Sequence, residues 1–298
     1  MRVSSVLFAI VATVLVISLL CIWFYPSIQD FMAGNTMWNG MRDSCGEFNA
    51  DNIDSFDELP GLPQDIVLLN IPYLEYRDQE LSRMKEFLDD GGTLLLMDDY
   101  GYGNSLLSYL GVDVRFANVP LLDPLFCYKN QWLPRITDFT PEVREKGIDV
   151  LMLNNATALT NVTDSEAIAW SSGTSFLDTD ENGDKDEGEP EGPLAVAAEL
   201  QVGKGRLILV SDPSIIINTM VSRDDNNAFV TYLTRPEGEQ NRLLIDRSHL
   251  TQTPLDVSKT RLARARETMS SPPALLGFTA IIFVVVARYT LKKGGTVV

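Results

Sequence analysis

The densest set of hard oxygen ligands in the chain is Asp178-Thr-Asp180-Glu-Asn182-Gly183-Asp184-Lys-Asp186-Glu-Gly-Glu189. With Asp178 as position 1, oxygen-bearing side chains fall at positions 3, 5, 7, 9 and 12 and glycine at position 6, which is the ligand spacing of an EF-hand calcium loop. Calcium takes roughly six to eight hard oxygens at one centre, and the glycine lets the loop turn sharply enough to converge them. The expected metal ligands are therefore Asp178, Asp180, Asn182, Asp184, Asp186 and Glu189, with calcium as a structural cofactor. Two features depart from a complete EF-hand. Lys185 stands at position 8, where an aliphatic residue normally pins the loop, and Ser171–Leu177 and Pro190 flank the motif where amphipathic helices should be. The spacing thus predicts an isolated loop between strands. The competing reading is a solvated acidic loop, whose packed carboxylates repel one another without a cation.

A second candidate is Asp98-Asp99-Tyr-Gly-Tyr-Gly-Asn104, at the carboxyl end of an apolar run, where open α/β sheets bind ligands. Paired carboxylates there could do acid–base work or hold a metal. They could equally make a polar turn with a helix cap. Gly101 and Gly103 do not form a phosphate loop, since neither a lysine nor a third glycine follows at the needed spacing. Ser211-Asp-Pro213 and His249, the single histidine, complete the inventory a hydrolase would draw on. Ser211 is not in a G-x-S-x-G elbow, and Asp212 before Pro213 also reads as a helix cap with proline in the first turn. No catalytic residue is assigned on this basis. A hydrolase using Asp98, Asp99 or His249 stands as the alternative to a binding role.

The elements that must position these residues alternate. Asp65–Pro72 reads as a buried strand. A helix with Leu81, Met84, Phe87 and Leu88 on one face follows and stops at Gly91-Gly92. Thr93–Met97 is the next strand and Ser105–Leu110 opens another helix. Strand-like runs recur at Ile148–Leu153, Glu166–Ser171, Pro193–Gln201 and Arg206–Val210, the last two joined by the hairpin turn Val202-Gly-Lys-Gly205. Pro213–Met220 and Asn226–Leu233 look helical, and Arg242–Asp246 looks like a closing strand. The expected fold is α/β, a doubly wound and mostly parallel sheet with an antiparallel hairpin at one edge.

Val6–Phe24 carries no charge over nineteen residues, about the length a helix needs to cross a bilayer. Ala274–Leu291, followed by Lys292 and Lys293, reads as a second and shorter span. The organisation expected is an anchor over 1–25, an extracytoplasmic α/β domain over 26–250, a polar linker over 251–273, a second transmembrane helix over 274–291 and a cytoplasmic tail over 292–298. Arg2 before the first span and the two lysines after the second put both termini in the cytoplasm by the positive-inside rule, although Lys259, Arg261, Arg264 and Arg266 run against it. Of 24 lysines and arginines four lie outside the middle, leaving 20 there against all 41 acidic residues, a formal charge of −21. Such a surface repels nucleic acid and attracts cations or basic partners. Asn155-Ala-Thr and Asn161-Val-Thr are glycosylation sequons, and Cys45 and Cys127 could pair or stay free.

The order of motifs resembles a known family. Phe87-Leu-Asp-Asp-Gly-Gly-Thr-Leu-Leu-Leu-Met97, the Asp98–Gly111 segment, Gly203-Lys-Gly-Arg-Leu-Ile-Leu-Val-Ser-Asp-Pro213, and Asn218 with Asp225–Phe229 are similar to membrane-anchored domains of unknown function with a class I glutamine-amidotransferase-like core. The archaeal branch, with Ser-Phe-Leu-Asp before an acidic glycine loop, is the nearer likeness. The resemblance implies a flavodoxin-like sheet in which the turn after Thr93–Met97, where active amidotransferases carry a cysteine, presents Asp98 and Asp99 instead. It further implies a non-catalytic binding or scaffold domain with a protein partner in a membrane complex.

Overall fold

The computed structural model of the protein describes residues 3–235 and 241–294. These divide into two units, Pro26–Thr251 and a helical unit made of the chain on either side of it.

Within Pro26–Thr251 the strands are β1 (Asp51–Ile53), β2 (Ile66–Asn70), β3 (Thr93–Met97), β4 (Asp138–Phe139), β5 (Ala167–Trp170), β6 (Ala195–Val202), β7 (Gly205–Val210) and β8 (Arg242–Asp246). They pair in the order β1-β8-β2-β3-β7-β6-β5-β4. The first five run parallel, and β7-β6-β5-β4 run antiparallel. Two short strands, Arg115–Phe116 and Leu159–Thr160, join the sheet through Leu159 and Ala195. The mixed α/β fold with a largely parallel central sheet therefore agrees with the sequence expectation. The hairpin does not sit at an edge. Its second strand, β7, lies against β3 in the parallel block, and β5 and β4 continue the sheet beyond β6.

Both faces of the parallel block are buried, so its strands are continuous apolar runs without polar alternation. All five residues of β2 and of β3 are buried. Leu95, Met97, Ile208 and Leu243 belong to one core, and Leu94, Leu96, Leu207 and Leu244 to the other. Helix α2 (Asp78–Asp89) buries Leu81, Met84, Phe87 and Leu88 in the second core, the face its spacing predicted. Helix α3 (Asn104–Leu110) covers that side too, and α4 (Asn226–Thr234) packs Phe229, Val230 and Leu233 into the first.

Some segments differ from expectation. Ile148–Leu153 contributes a strand of two residues, Leu151–Met152, paired with Arg135–Ile136 outside the main sheet. Pro213–Met220 forms one 3-10 turn, Pro213–Ile216. Cys45 and Cys127 are free thiols, and burial pushes Cys45 up to about 11.

The flanking unit holds α1 (Val3–Phe24), α5 (Pro254–Ser270) and α6 (Pro272–Gly294). Among the described residues one helix, not two, is long and apolar enough to cross a membrane, at Val6–Phe24 with mean hydropathy 2.9. The second expected span, 274–291, lies within α6. The segment 251–273, read as a polar linker, is mostly the helix α5. Thr253 caps it, its hydroxyl accepting from the Asp256 amide while the Asp256 carboxylate reaches back, and Pro254 opens the first turn. The Arg266 guanidinium lies 5.7 Å from the Trp23 ring of α1. Of the expected tail 292–298, residues 295–298 lie outside the described residues.

At the hairpin, β7 starts where α2 ends, and Gly205 is pressed against that junction. A Cβ there would fall 2.6 Å from the Leu88 carbonyl oxygen and closer still to that of Gly92. Gly205→Ala is therefore expected to cost roughly 1–3 kcal/mol in urea denaturation of the full chain. Gly61→Ala, where a Cβ meets nothing within 4 Å, should stay within about 0.5 kcal/mol of the parent.

Candidate functional site

The carboxyl ends of β2, β3 and β7 carry the groups that chemistry would need. The strand ends are in register, with Val210 beside Met97, so the turns that follow meet. Asp98 accepts backbone N–H groups from Tyr100 at 2.9 Å, Gly101 at 3.0 Å and Gly103 at 2.6 Å, and so builds the turn into α3. Burial pushes its carboxyl up to about 6 against the pull of those donors. Asp212, wholly buried, accepts from the amides of Asn154 and Ser214, both at 2.7 Å, and caps the 3-10 turn. Burial raises it to about 7. Asp99 is raised furthest, to about 8, first by burial and then by Asp212 and Asp98 beside it. Its Oδ1 is buried without a hydrogen-bond partner, as is the Ser211 hydroxyl.

Asp99 and Tyr100 line a two-lobed cleft. The larger lobe, of about 320 Å³, is walled by Asn118, Pro120, Asn155 and Glu181. The smaller, of about 220 Å³, is walled by Asp30, Trp38, Tyr73, Asn154 and Asn155. Glu181 belongs to the acidic loop, so that loop forms one wall. Tyr73 and Tyr100 stand 5.4 Å apart between ring centroids at 57°. Trp38 is 63% exposed and Tyr100 55%, high for aromatics beside a cavity.

His249 is not in this cleft. It is 2% exposed, stacked on Phe56 at 5.2 Å and near Tyr76 at 4.6 Å. Its Nδ1 lies 2.7 Å from Asp246 and its Nε2 3.3 Å from Glu80. Asp246 also accepts from Asn70 at 2.8 Å and from the Ser248 hydroxyl at 2.6 Å, and Asn70 in turn accepts from the Tyr76 hydroxyl. Both ring nitrogens are engaged, which ties β2, β8 and the start of α2 together. The two carboxylates hold the imidazole above its ordinary value against the opposing effect of burial.

The acidic loop closes a small hairpin. Phe176 bridges Glu191, and the Leu177 amide donates to Pro190. Among the expected ligands, oxygens of Asp178, Asp180 and Glu189 lie within 4.8 Å of one another. Asn182 spans Asp180 and Asp186 through its Nδ2, at 3.0 and 2.6 Å. Asp178 accepts from the amides of Asn182 and Gly183, the turn the glycine was expected to allow, with Gly183 at φ +85°. Asp184 stays outside the converging group and donates its amide to Asn182. Glu189 is held below its ordinary value by the amides of Asp186 and Thr179. Lys185, the departure at position 8, pairs with Glu191 at 2.9 Å.

The partners of Asp98 and Asp99 at the cleft escape a reading by local motif, because Tyr73, Asp212, Asn118 and Asn155 come from separate turns. What they share is a position just beyond a strand end or a paired loop. That is a signal available from the strand assignment alone.

The cluster gives stability a definite pH slope. Asp98, Asp99 and Asp212 titrate at about 6, 8 and 7 in the folded chain against an ordinary 3.8, so the folded state holds protons the unfolded chain has released. That contribution is complete below the unfolded value and is lost as pH rises through the folded values; His249, also raised, acts with the same sign. The lowered Glu80 and Glu189 have made their contributions by about pH 5.5. The melting temperature should therefore fall between about pH 5.5 and 8.5, and in Asp99→Asn it should fall less steeply, as read by circular dichroism.

Among curated proteins none matches the chain. Solved structures with a partial likeness include the mmIFT52 N-terminal domain, at 15% identity over 61% of this chain and 81% of that one, with a TM-score of 0.46. A beta-galactosidase from Bacillus circulans sp. alkalophilus shares 13% identity over 59% of this chain, TM-score 0.36, and the exo-beta-1,4-mannosidase Op5Man5 from Opitutaceae bacterium strain TAV5 shares 12% over 65%, TM-score 0.30. This chain spans 23% and 27% of those two enzymes, and all three likenesses are too loose to define fold or function. Over residues 47–234, which take in β1 to β7 and α2 to α4, the chain belongs to the family described as Domain of unknown function (DUF4350).

Proposed function

We propose that the protein is a membrane-anchored, extracytoplasmic recognition domain that acts as a non-catalytic subunit of a membrane complex, with calcium bound structurally in its acidic loop. The observation that carries the reading is how the reactive candidates are employed. Asp98 is occupied in building its turn, and both nitrogens of the buried His249 are occupied in tying elements together. The turn after β3 bears two aspartates where an amidotransferase-like core would carry its nucleophile. An amidotransferase-like, flavodoxin-like ancestry of the archaeal type is consistent with that replacement.

Val6–Phe24 serves as the anchor, and 274–291 within α6 as a second span returning the C-terminus to the cytoplasm. Arg266 of α5 lies over the Trp23 ring of the apolar helix α1, where a lipid phosphate neutralises it. Calcium is favoured by the ligand spacing and by the convergence of Asp178, Asp180 and Glu189, with Asn182, Asp184 and Asp186 completing the set when the ion draws them in. The hydrolase alternative retains one specific point, the raised and partly unsatisfied Asp99 beside an open cleft.

Two measurements test the reading. Calcium a hundredfold above its Kd should raise the melting temperature of the full chain by on the order of 5–10 °C. Asp178→Asn with Asp180→Asn should abolish the rise, and a parent protein that does not respond to millimolar calcium removes the metal from the account. Purification of the full chain in mild detergent, with calcium or with a chelator, should bring down a stoichiometric membrane partner. A chain that purifies alone in both conditions, and whose phenotype disappears with Asp99→Ala, reverses the assignment in favour of the hydrolase.

A further inference from the structure

The cleft at the ends of β2, β3 and β7 has a chemistry of its own, apart from the ligand set of the acidic loop whose Glu181 walls its larger lobe. Its smaller lobe combines aromatic faces, Trp38, Tyr73 and Tyr100, with the carboxyls Asp30 and Asp99, and no lysine, arginine or histidine lines either lobe. An anion finds no counter-charge there. A metal ion finds no convergence of ligands, since among the described residues three carboxylates meet only at Asp178, Asp180 and Glu189. An acceptor oxygen, Asp99 Oδ1, is buried with no donor. An unmade hydrogen bond of that kind costs stability in the free protein, and it stops costing when a ligand supplies the donor.

We propose that this cleft binds an organic cation, an ammonium or guanidinium group held against the Tyr73 and Tyr100 rings with its N–H groups donated to Asp99. The inference rests on the recognition reading and narrows it to a ligand chemistry. Aromatic faces attract such a cation through their quadrupoles, and the two tyrosine rings, in contact at 5.4 Å and tilted at 57°, both line the smaller lobe. Phe31 backs Tyr73 at 5.6 Å and fixes its plane. The electrostatics agree. Asp98 from the same strand end, Asp212 from the turn after β7, and Asp30 and Asp99 as they act on the Tyr73 hydroxyl direct a negative potential into one small volume. In the free protein Asp99 relieves that crowding by keeping its proton. When the cation enters, Asp99 releases the proton to solvent and becomes a carboxylate paired with the ligand. Binding therefore tightens as pH rises toward 8, while an alkylammonium, ordinarily titrating near 10.4, stays charged.

The cation could be a lysine or arginine side chain of a protein partner or a free amine, and one experiment separates them. The full chain is held in a polyoxyethylene detergent and phosphate buffer, which carry neither sugar nor amine, and saturation-transfer NMR is recorded with five probes. These are Nα-acetyl-lysine methylamide, Nα-acetyl-arginine methylamide, n-butylamine, the neutral Nα-acetyl-norleucine methylamide and methyl β-galactoside. The cationic probes should bind and the neutral ones should not, with affinity rising on the order of tenfold from pH 6 to pH 8. Asp99→Asn should weaken binding about tenfold and reduce its pH dependence to the smaller part that Asp98 and Asp212 supply, and Tyr100→Ala, at an exposed position, should weaken binding while leaving the full pH dependence in place. Acetyl-lysine methylamide binding well above n-butylamine assigns the cation to a protein partner, and equal binding assigns it to a free amine. Equal binding of the norleucine probe, binding of the galactoside alone, or binding of none overturns the inference. If none binds while a partner still co-purifies, recognition stands and only this site falls. If a probe binds and is cleaved, the cation site stands and the non-catalytic reading falls.

Discussion

A parallel sheet buried on both faces has no room for polar side chains along its strands, and everything else in this domain follows from that exclusion. β2, β3 and the end of β7 are filled with leucine, isoleucine, valine and methionine, so the polar and ionisable groups collect where the strands stop. Asn70 and Asp246 mark the ends of β2 and β8, and Asp98 and Ser211 follow β3 and β7. Each is nearly or wholly shielded from water. A polar group in that position must find a partner or change its protonation state. Asn70 and Asp246 find partners, with Tyr76, Ser248 and His249. Asp98 finds backbone amides, and Asp99 changes protonation instead.

The same exclusion separates two kinds of buried polar group that look alike in sequence. The network around His249 is closed: the histidine and both carboxylates have internal partners, and the aromatic rings of Phe56 and Tyr76 shut out water. The cluster around Asp99 is open on one side to the cleft and leaves an oxygen unmatched. A closed network contributes rigidity and specificity of fold, whereas an open one leaves interaction energy for a ligand.

What the sequence made legible was local. Four apolar residues at helical spacing announced α2, and the glycines of Val202–Gly205 announced the turn whose register pairs Val202 with Gly205. The spacing marked out the loop, yet of its five candidate carboxylates only Asp178, Asp180 and Glu189 converge, and Asn182 bridges Asp180 and Asp186. In the antiparallel half β5 was legible in the run Glu166–Ser171, whereas β4 holds two residues, too few for a period to show. The helix α5 was hidden by its charge: its apolar positions are sparse, and the signals that do mark it, Thr253, Pro254 and Asp256, are a cap rather than a pattern. The cleft was invisible to any single window because its walls come from strand ends and loops far apart in sequence.

One wall residue ties the cleft to the route by which the chain matures. Asn155 stands on the part shared by both lobes and begins a sequon whose third residue, Thr157, is 1% exposed with its hydroxyl donated to the Val119 carbonyl at 2.7 Å. A glycosylating enzyme reads that hydroxyl, and in the folded domain it is out of reach. A sugar could be attached at Asn155 only while the segment is still unfolded, and once attached it would occupy the cavity. In a cell that modifies this sequon, the order of folding and modification therefore decides whether the domain emerges with an open cleft or with one already filled.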